Sequence, residues 1–372
     1  LSLATLSIMN SAYRNVLLSI KTDYALTYTQ SGALMSAYFV GYTIGQIPWG
    51  LAADRYGSRR VMALSVLGVS LSTSLFGLAP NYLTILVTRF LAGLLGAGVF
   101  VPGVRLISSW FNSEERGSAL GAINIGGSTG MILASWAVPY AAISLGWKTS
   151  LSTTGLFGVL SAASIWFLLK DKQSESQGKA DFSMIPLRDQ RFWSLALLQF
   201  IRLGSFYTFI GWLPLVLKEE YGLSVAAVST AMSLFNLAGM AANPLGGVFS
   251  DKIGEKNVLL MCFTCLSLGT LGFTLKFNGF IVMSLVFVAG WFINFVRSPS
   301  FAIIPHLFGT ETAGSVSGIQ NTFASFGALL LPLALGFIRD TTASYQAGWY
   351  AISALMLIVA LGLVTIRNMD SH

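Results

Sequence analysis

The stretch Gly50-Leu-Ala-Ala-Asp54-Arg55-Tyr-Gly57-Ser-Arg59-Arg60 returns, weakened, as Gly247, Asp251, Lys252, Gly254 and Lys256, each residue displaced by 197 positions. Extended backwards without a gap, the same offset pairs Asp23-Tyr24 with Glu220-Tyr221 and Leu26 with Leu223. Self-similarity at one long, fixed offset implies two copies of one structural unit. Physically, the glycines let two helix ends approach, while the carboxylate and the cations can form a breakable latch of ion pairs and helix-end dipoles.

Outside this motif the chain is dominated by apolar residues. It has 372 residues, of which 54% are hydrophobic and only 10% charged; its mean hydropathy is +0.69. Soluble folds carry charge on about a quarter of their residues, so that class is excluded. Crossing a bilayer takes about 20 mainly apolar residues. Twelve stretches qualify, centred near residues 12, 40, 70, 95, 130, 158, 204, 237, 266, 292, 323 and 357. The one substantial hydrophilic segment, Lys170 to about Arg191, is rich in Ser, Gln and charge, which is linker composition. The expected fold is therefore an all-α membrane protein with twelve transmembrane helices in two pseudo-symmetric six-helix bundles. Residues 1–170 form the first bundle, 171–190 a cytoplasmic linker, and 191–372 the second.

Sidedness follows from the basic residues. Of 22 lysines and arginines, twelve fall on the even-numbered connections, among them Arg55, Arg59, Arg60, Arg116, Lys252 and Arg367. Five fall on the odd-numbered side: Lys21, Lys148, Lys218, Lys276 and Arg339. The positive-inside rule then places both termini in the cytoplasm. No cleavable signal peptide is visible, and the chain opens at Leu1 without a methionine, so the first span is open to an upstream extension.

The Gly50–Arg60 stretch resembles the loop motif of the major facilitator superfamily, between its second and third helices, and the copy at 247–256 stands where that family repeats it. The resemblance covers essentially the whole chain. Several segments resemble more narrowly the anion:cation symporter branch, which includes hexuronate and galactonate permeases, sialin and the vesicular glutamate transporters. They are Ser36-Ala-Tyr38 through Gln46-Ile-Pro48, Trp110-Phe-Asn-Ser-Glu114-Glu115-Arg116, Gly146-Trp147-Lys148, and Gln199-Phe-Ile-Arg202-Leu-Gly-Ser-Phe206-Tyr207 with Trp212-Leu-Pro214. The resemblance puts Arg202 on an anion-binding arginine of the seventh helix. It puts Arg14 on that of the first helix, one helical turn out of register, and Arg89 on that of the fourth. The glutamate that many proton-coupled members carry seven residues after the fourth-helix arginine is here Gly96.

Five arginines, Arg14, Arg89, Arg105, Arg202 and Arg297, lie inside apolar spans, and no acidic residue does. An intramembrane charge marks function by default, and this sign points to anions. Arg105, close to the end of its span, reads better as a snorkelling anchor. Arg297 lies deeper and is open to a cavity-facing or a packing role, and Arg89 to substrate contact or the ordering of helix four. Tyr42, Tyr207 and Asn321 are polar groups within spans, at positions resembling substrate contacts of the branch. The candidate substrate-binding set is thus Arg14, Tyr42, Arg89, Arg202, Tyr207 and Asn321. The candidate latch is Gly50, Asp54, Arg55, Gly57, Arg59, Asp251, Lys252 and Gly254.

Other motifs take plainer readings. Cys262-x-x-Cys265 in the ninth span reads as two small buried hydrophobes. Trp110, Trp147, Trp193, Trp212 and Trp349 sit near span ends, where interfacial belts account for them. Gly41-x-x-x-Gly45, Gly117-x-x-x-Gly121 and Gly314-x-x-x-Gly318 suit close helix packing rather than phosphate cradles. His306 reads as a polar cap.

The sequence predicts a multi-pass carrier of the plasma (inner) membrane that moves a small organic anion, a carboxylate, by alternating access. It is expected to act as a monomer in the bilayer, without cofactor, metal or nucleic acid, and with a possible coupling ion. The rival reading is an organophosphate:phosphate antiporter, which also uses first- and seventh-helix arginines and needs no acidic proton carrier. A polyspecific drug exporter would need a membrane-embedded carboxylate. An enzyme would need a paired nucleophile and base, a metal cluster or a phosphate loop, and none is visible.

Overall fold

The computed structural model describes residues 2–110, 113–170, 186–309 and 312–365, and every one of the twelve predicted span centres falls within a helix. The linker from 171 to 185 and the side chains of Asp54 and Arg105 lie outside the described residues. The helices are α1 Ser2–Asn15, α2 Leu17–Asp23, α3 Tyr28–Tyr56, α4 Ser58–Gly77, α5 Tyr82–Trp110, α6 Ser113–Leu145 and α7 Trp147–Leu168. They continue with α8 Gln190–Glu219, α9 Val225–Ile253, α10 Glu255–Gly272, α11 Gly279–Phe295, α12 Arg297–Phe308, α13 Ala313–Thr342 and α14 Gln346–Thr365. Two spans are broken: α1 and α2 meet at Val16, and α11 and α12 at Val296. Among the described residues, nine helical stretches are long and apolar enough to cross a membrane, the joined α11–α12 being one of them.

Contacts divide the chain into two compact units, Leu1–Gln177 with Ser224–Ser233, and Gly178–Leu223 with Leu234–His372. The pairing of helices inside the first recurs inside the second. In the first unit α3 packs on α5, α4 on α7 and α1 on α6; in the second α8 packs on α13 and α10 on α14. Close approach in lipid depends on small residues, because apolar side chains gain little by leaving lipid for each other. A side chain at Gly93 would collide with the Tyr38 carbonyl, and one at Gly290 with the Phe235 carbonyl. These are the same contact displaced by 197. Gly41 and Gly45 face the backbone of Phe90 and Leu94 in the same way.

Helix starts repeat too. Thr27 caps α3 by accepting from the Gln30 amide at 3.1 Å, and Ser224 accepts from the Ala227 amide at 3.2 Å ahead of α9. Asn81 and Asn278 each accept from the amide three residues on, both at 3.0 Å, ahead of α5 and α11. Each cap satisfies an orphan helix donor that lipid cannot. The backbone turns left-handed at Ala25 and Gly222, at Gly57 and Gly254, and at Gly146 and Ala343. All three pairs are again 197 apart. At the two motif turns φ is +87° and +83°, which is why the motif has glycine in both copies.

The tryptophan assignment needs correcting for three of the five. Trp110 and Trp193 are exposed, as belt residues are, but Trp212 and Trp349 have no exposed surface and Trp147 is buried. Trp212 donates to the Pro332 carbonyl at 3.0 Å, and Trp349 stacks on Phe209 at 5.9 Å between ring centroids. Nearness to a span end does not distinguish a ring facing lipid from one facing the bundle. Cys262 is buried, Cys265 is partly so, and both are free thiols.

Candidate functional site

In the first unit two arginines are buried side by side in charge terms: Arg14 in the last turn of α1 and Arg89 on α5 are each 3% exposed and within repulsive reach of one another. Arg89 is tightly engaged. Its Nη2 donates to Asn10 Oδ1 at 3.1 Å and its Nε to the Leu34 carbonyl at 3.4 Å. Its guanidinium carbon lies 3.9 Å from the centroid of the Tyr13 ring and 4.9 Å from that of Tyr38. Cation–π contacts gain strength where water is absent. Tyr42, half-buried, stacks on Tyr38 at 6.0 Å, so this candidate residue joins the same aromatic group. Arg14 immediately precedes the α1–α2 break, where the Val16 amide turns back to the Tyr13 carbonyl.

Gly96 has a local explanation. A Cβ there would stand 3.1 Å from both the Tyr38 hydroxyl and Leu6, and 3.3 Å from Val69. A side chain there requires Leu6, Val69 and the tyrosine that packs against Arg89 to give by a few tenths of an ångström.

In the second unit Arg202 lies on α8, 4% exposed. Its Nε donates to Gln199 Oε1 at 2.8 Å, one helical turn earlier, and its guanidinium carbon lies 5.5 Å from the Phe301 ring centroid. Gln199 in turn donates to the Ser300 carbonyl at 3.2 Å, and the Ser300 hydroxyl donates to the Arg297 carbonyl at 2.7 Å. One hydrogen-bonded chain therefore ties Arg202 to the first turn of α12, which opens with Arg297. The two guanidinium groups are within repulsive reach, and Tyr207 lies within electrostatic reach of both. The packing thus settles Arg297 into the Arg202 cluster. Asn321, by contrast, is exposed on α13, and its neighbour Gln320 is buried, donating to the Phe192 carbonyl at 3.0 Å.

Gln199 was legible as the residue one turn before Arg202. Asn10, Tyr13, Ser300 and Phe301 were not, because only the packing of α1 on α5 and of α12 on α8 brings them to an arginine. A cavity of about 290 Å³ opens elsewhere in this unit, lined by Tyr221, Lys276, Tyr345 and Trp349 among others, and no buried arginine lines it.

At the motif loops, Arg59 donates to the Leu169 carbonyl at 3.4 Å and lies over Trp166, while Arg55 lies over Tyr56. Gly50 has open space around it, and Asp251 and Lys252 are exposed. His306 does more than cap. Its Nδ1 stands 3.0 Å from the largely buried Glu255 carboxylate, joining the end of α12 to the start of α10. Among the described residues no group of three or more His, Cys, Asp or Glu could hold a metal.

A model of the Major Facilitator Superfamily matches residues 1–215 and again 195–371. The chain belongs to this superfamily. It is accordingly a multi-pass membrane transporter rather than an enzyme. The hexuronate transporter of Bacillus subtilis is 26% identical over 93% of this chain and 87% of its own length. The probable galactarate/D-glucarate transporter of the same organism is 26% identical over 92% and 86%. Among solved structures, a bacterial homologue of the human lysosomal transporter Spinster, inward-facing and occupied, aligns with a TM-score of 0.79 at 17% identity, covering 97% of this chain and 94% of that one. That likeness supports the fold. The superfamily resemblance read from the Gly50–Arg60 stretch is thereby borne out.

Proposed function

We propose that this major-facilitator protein is a secondary transporter of a small organic anion, a carboxylate of the sugar-acid kind, working by alternating access. The observation that carries this reading is Arg202. It is buried in the middle of α8, its Nε is fixed by Gln199, and every acidic residue of the described helices lies in a first or last turn. A buried guanidinium without a carboxylate partner is costly, so an arriving anion relieves that cost and favours the state that holds it. Its planar fork also matches a carboxylate bidentately. The sugar-acid relatives support the choice of substrate.

The substrate-binding set is Arg14, Tyr42 and Arg89 in the first unit and Arg202, Tyr207 and Asn321 in the second. Arg89 acts partly through the tyrosines it orders. The motif residues Gly50, Asp54, Arg55, Gly57, Arg59, Asp251, Lys252 and Gly254 act as a cytoplasmic latch, with residues 1–170 and 191–372 as the moving bundles. The protein works as a monomer in the plasma membrane, with both termini cytoplasmic. Uptake into proteoliposomes of sugar acids, monocarboxylates and phosphate esters tests this directly. Uptake confined to phosphate esters would favour the organophosphate antiporter, the reading that the acid-free span interiors also fit.

Coupling follows from the same placement of acids. Arginine keeps its proton in proteins and cannot carry one across. Transport should run by exchange, by membrane potential or with an ion other than the proton. With potential clamped, a pH gradient should not accumulate an anion that stays ionised throughout. Accumulation would reveal a proton site, with His306 or Asp23 the first places to look.

A further inference from the structure

Arg297 adds a second cation to the site of Arg202, and the local geometry gives that charge a purpose. Gln199 holds the Arg202 Nε at 2.8 Å, which leaves the two terminal nitrogens of that guanidinium for a ligand. Through Ser300 the same glutamine fixes the first turn of α12, so Arg297 is held in a set relation to Arg202 rather than on a drifting helix end. Val296 ends α11 just before it, so Arg297 opens a new helix at the break instead of sitting along a continuous one. Tyr207 is within electrostatic reach of both guanidinium groups. In this unit the described acids, Asp189, Glu219, Glu220, Asp251, Glu255 and Asp340, all lie at helix ends or in the connections beside them, none in the middle of a helix. Two neighbouring cations in a poorly solvated region carry a repulsion that one negative charge only half relieves.

We propose that Arg297 is a specificity-determining residue that makes dianions, such as dicarboxylates or sulfo-carboxylates, the preferred substrates over monoanions of the same size. One acid group engages Arg202 and the second engages Arg297. The proposal rests on the organic-anion reading and refines it.

The test is equilibrium binding to purified protein in lipid nanodiscs, using a six-carbon aldarate, its mono-amide and the matching hexuronate. The wild type should bind the aldarate at least tenfold more tightly than either monoanion. In Arg297→Gln the aldarate should lose at least tenfold while the monoanions change less than threefold, abolishing the preference. Arg297→Lys should keep a reduced preference. If aldarate and mono-amide bind the wild type equally, the proposal is overturned whether or not any variant folds. Equal losses for all three ligands in Arg297→Gln overturn it as well, while leaving the organic-anion reading intact. A folded wild type that binds none of the three overturns both.

Discussion

The two halves of this transporter agree in their scaffold and differ in their charges. Caps at Thr27 and Ser224 and at Asn81 and Asn278, left-handed turns at Gly57 and Gly254, and the contacts of Gly93 and Gly290 all repeat at 197 residues. None of the four arginines of the two clusters does. At the same offset Arg14 corresponds to Gly211, Arg89 to Val286, Arg202 to Thr5 and Arg297 to Phe100. Duplication therefore accounts for the frame, whereas each half places its own cations. Their surroundings differ as well. Arg89 is satisfied within its unit by an amide, a carbonyl and two tyrosine faces, while Arg202 has one glutamine, one phenylalanine ring and a second cation. The first arrangement stabilises an arginine; the second is the one we propose to bind an anion.

The largest effect expected from that contrast is at Arg202. Arg202→Lys keeps the charge but loses the bidentate fork, and transport should fall by about 30- to 100-fold, the worth of a strong charge-assisted pair of roughly 2–3 kcal/mol. Arg202→Gln should leave the folded protein as stable as the wild type or more so, since an uncompensated buried charge is removed. Arg89→Gln should do the opposite. By stranding Asn10 and two tyrosine faces it should lower stability by about 2 kcal/mol, read as thermal unfolding in detergent. Equal stability losses at the two positions would break the comparison.

Asp54 belongs to the repeated scaffold rather than to the cation sites. Asp54→Asn should slow turnover by about tenfold and leave substrate Kd within about twofold, because the latch we propose biases the conformational cycle and not the site. Loss of equilibrium binding in a folded Asp54→Asn protein would place it elsewhere in the mechanism.

The smallest effect lies in the repeated turns. Gly146 and its counterpart Ala343 both have positive φ, +79° and +55°, but ψ of 153° and 18°, so alanine tolerates the second and only glycine the first. Ala343→Gly should raise stability by about 0.5–1 kcal/mol, and Gly146→Ala should lower it by more, about 1–3 kcal/mol, because the Gly146 conformation is nearly closed to a side chain. Changes of the reverse sign, read as thermal unfolding in detergent, would contradict these backbone assignments.

These contrasts also mark what was legible in the sequence. Twelve spans, the two-copy frame and the motif turns could be read because hydropathy and a fixed offset are one-dimensional signals. Arg202 could be singled out because it is central in its span, with no acid nearby in sequence, and because its segment resembles the seventh helix of the symporter branch. The engagement of Arg89 by Asn10 and Tyr38 could not be read, since three separate spans supply it. Arg297 stayed open between cavity and packing roles because its meaning depends on Gln199, nearly a hundred residues away. Trp147, Trp212 and Trp349 were misplaced for a related reason: depth along a span is visible in sequence, but the direction a ring faces is not.

The central claim is that a buried arginine of the second half binds an organic acid for transport. The most direct measurement is uptake into proteoliposomes of a hexuronate, an aldarate and a hexose phosphate, at clamped membrane potential, by wild type and Arg202→Lys side by side. The sugar acids should enter with the wild type and not with the variant, and the hexose phosphate with neither. Uptake of the phosphate ester alone, or sugar-acid uptake undiminished in Arg202→Lys, would contradict the account.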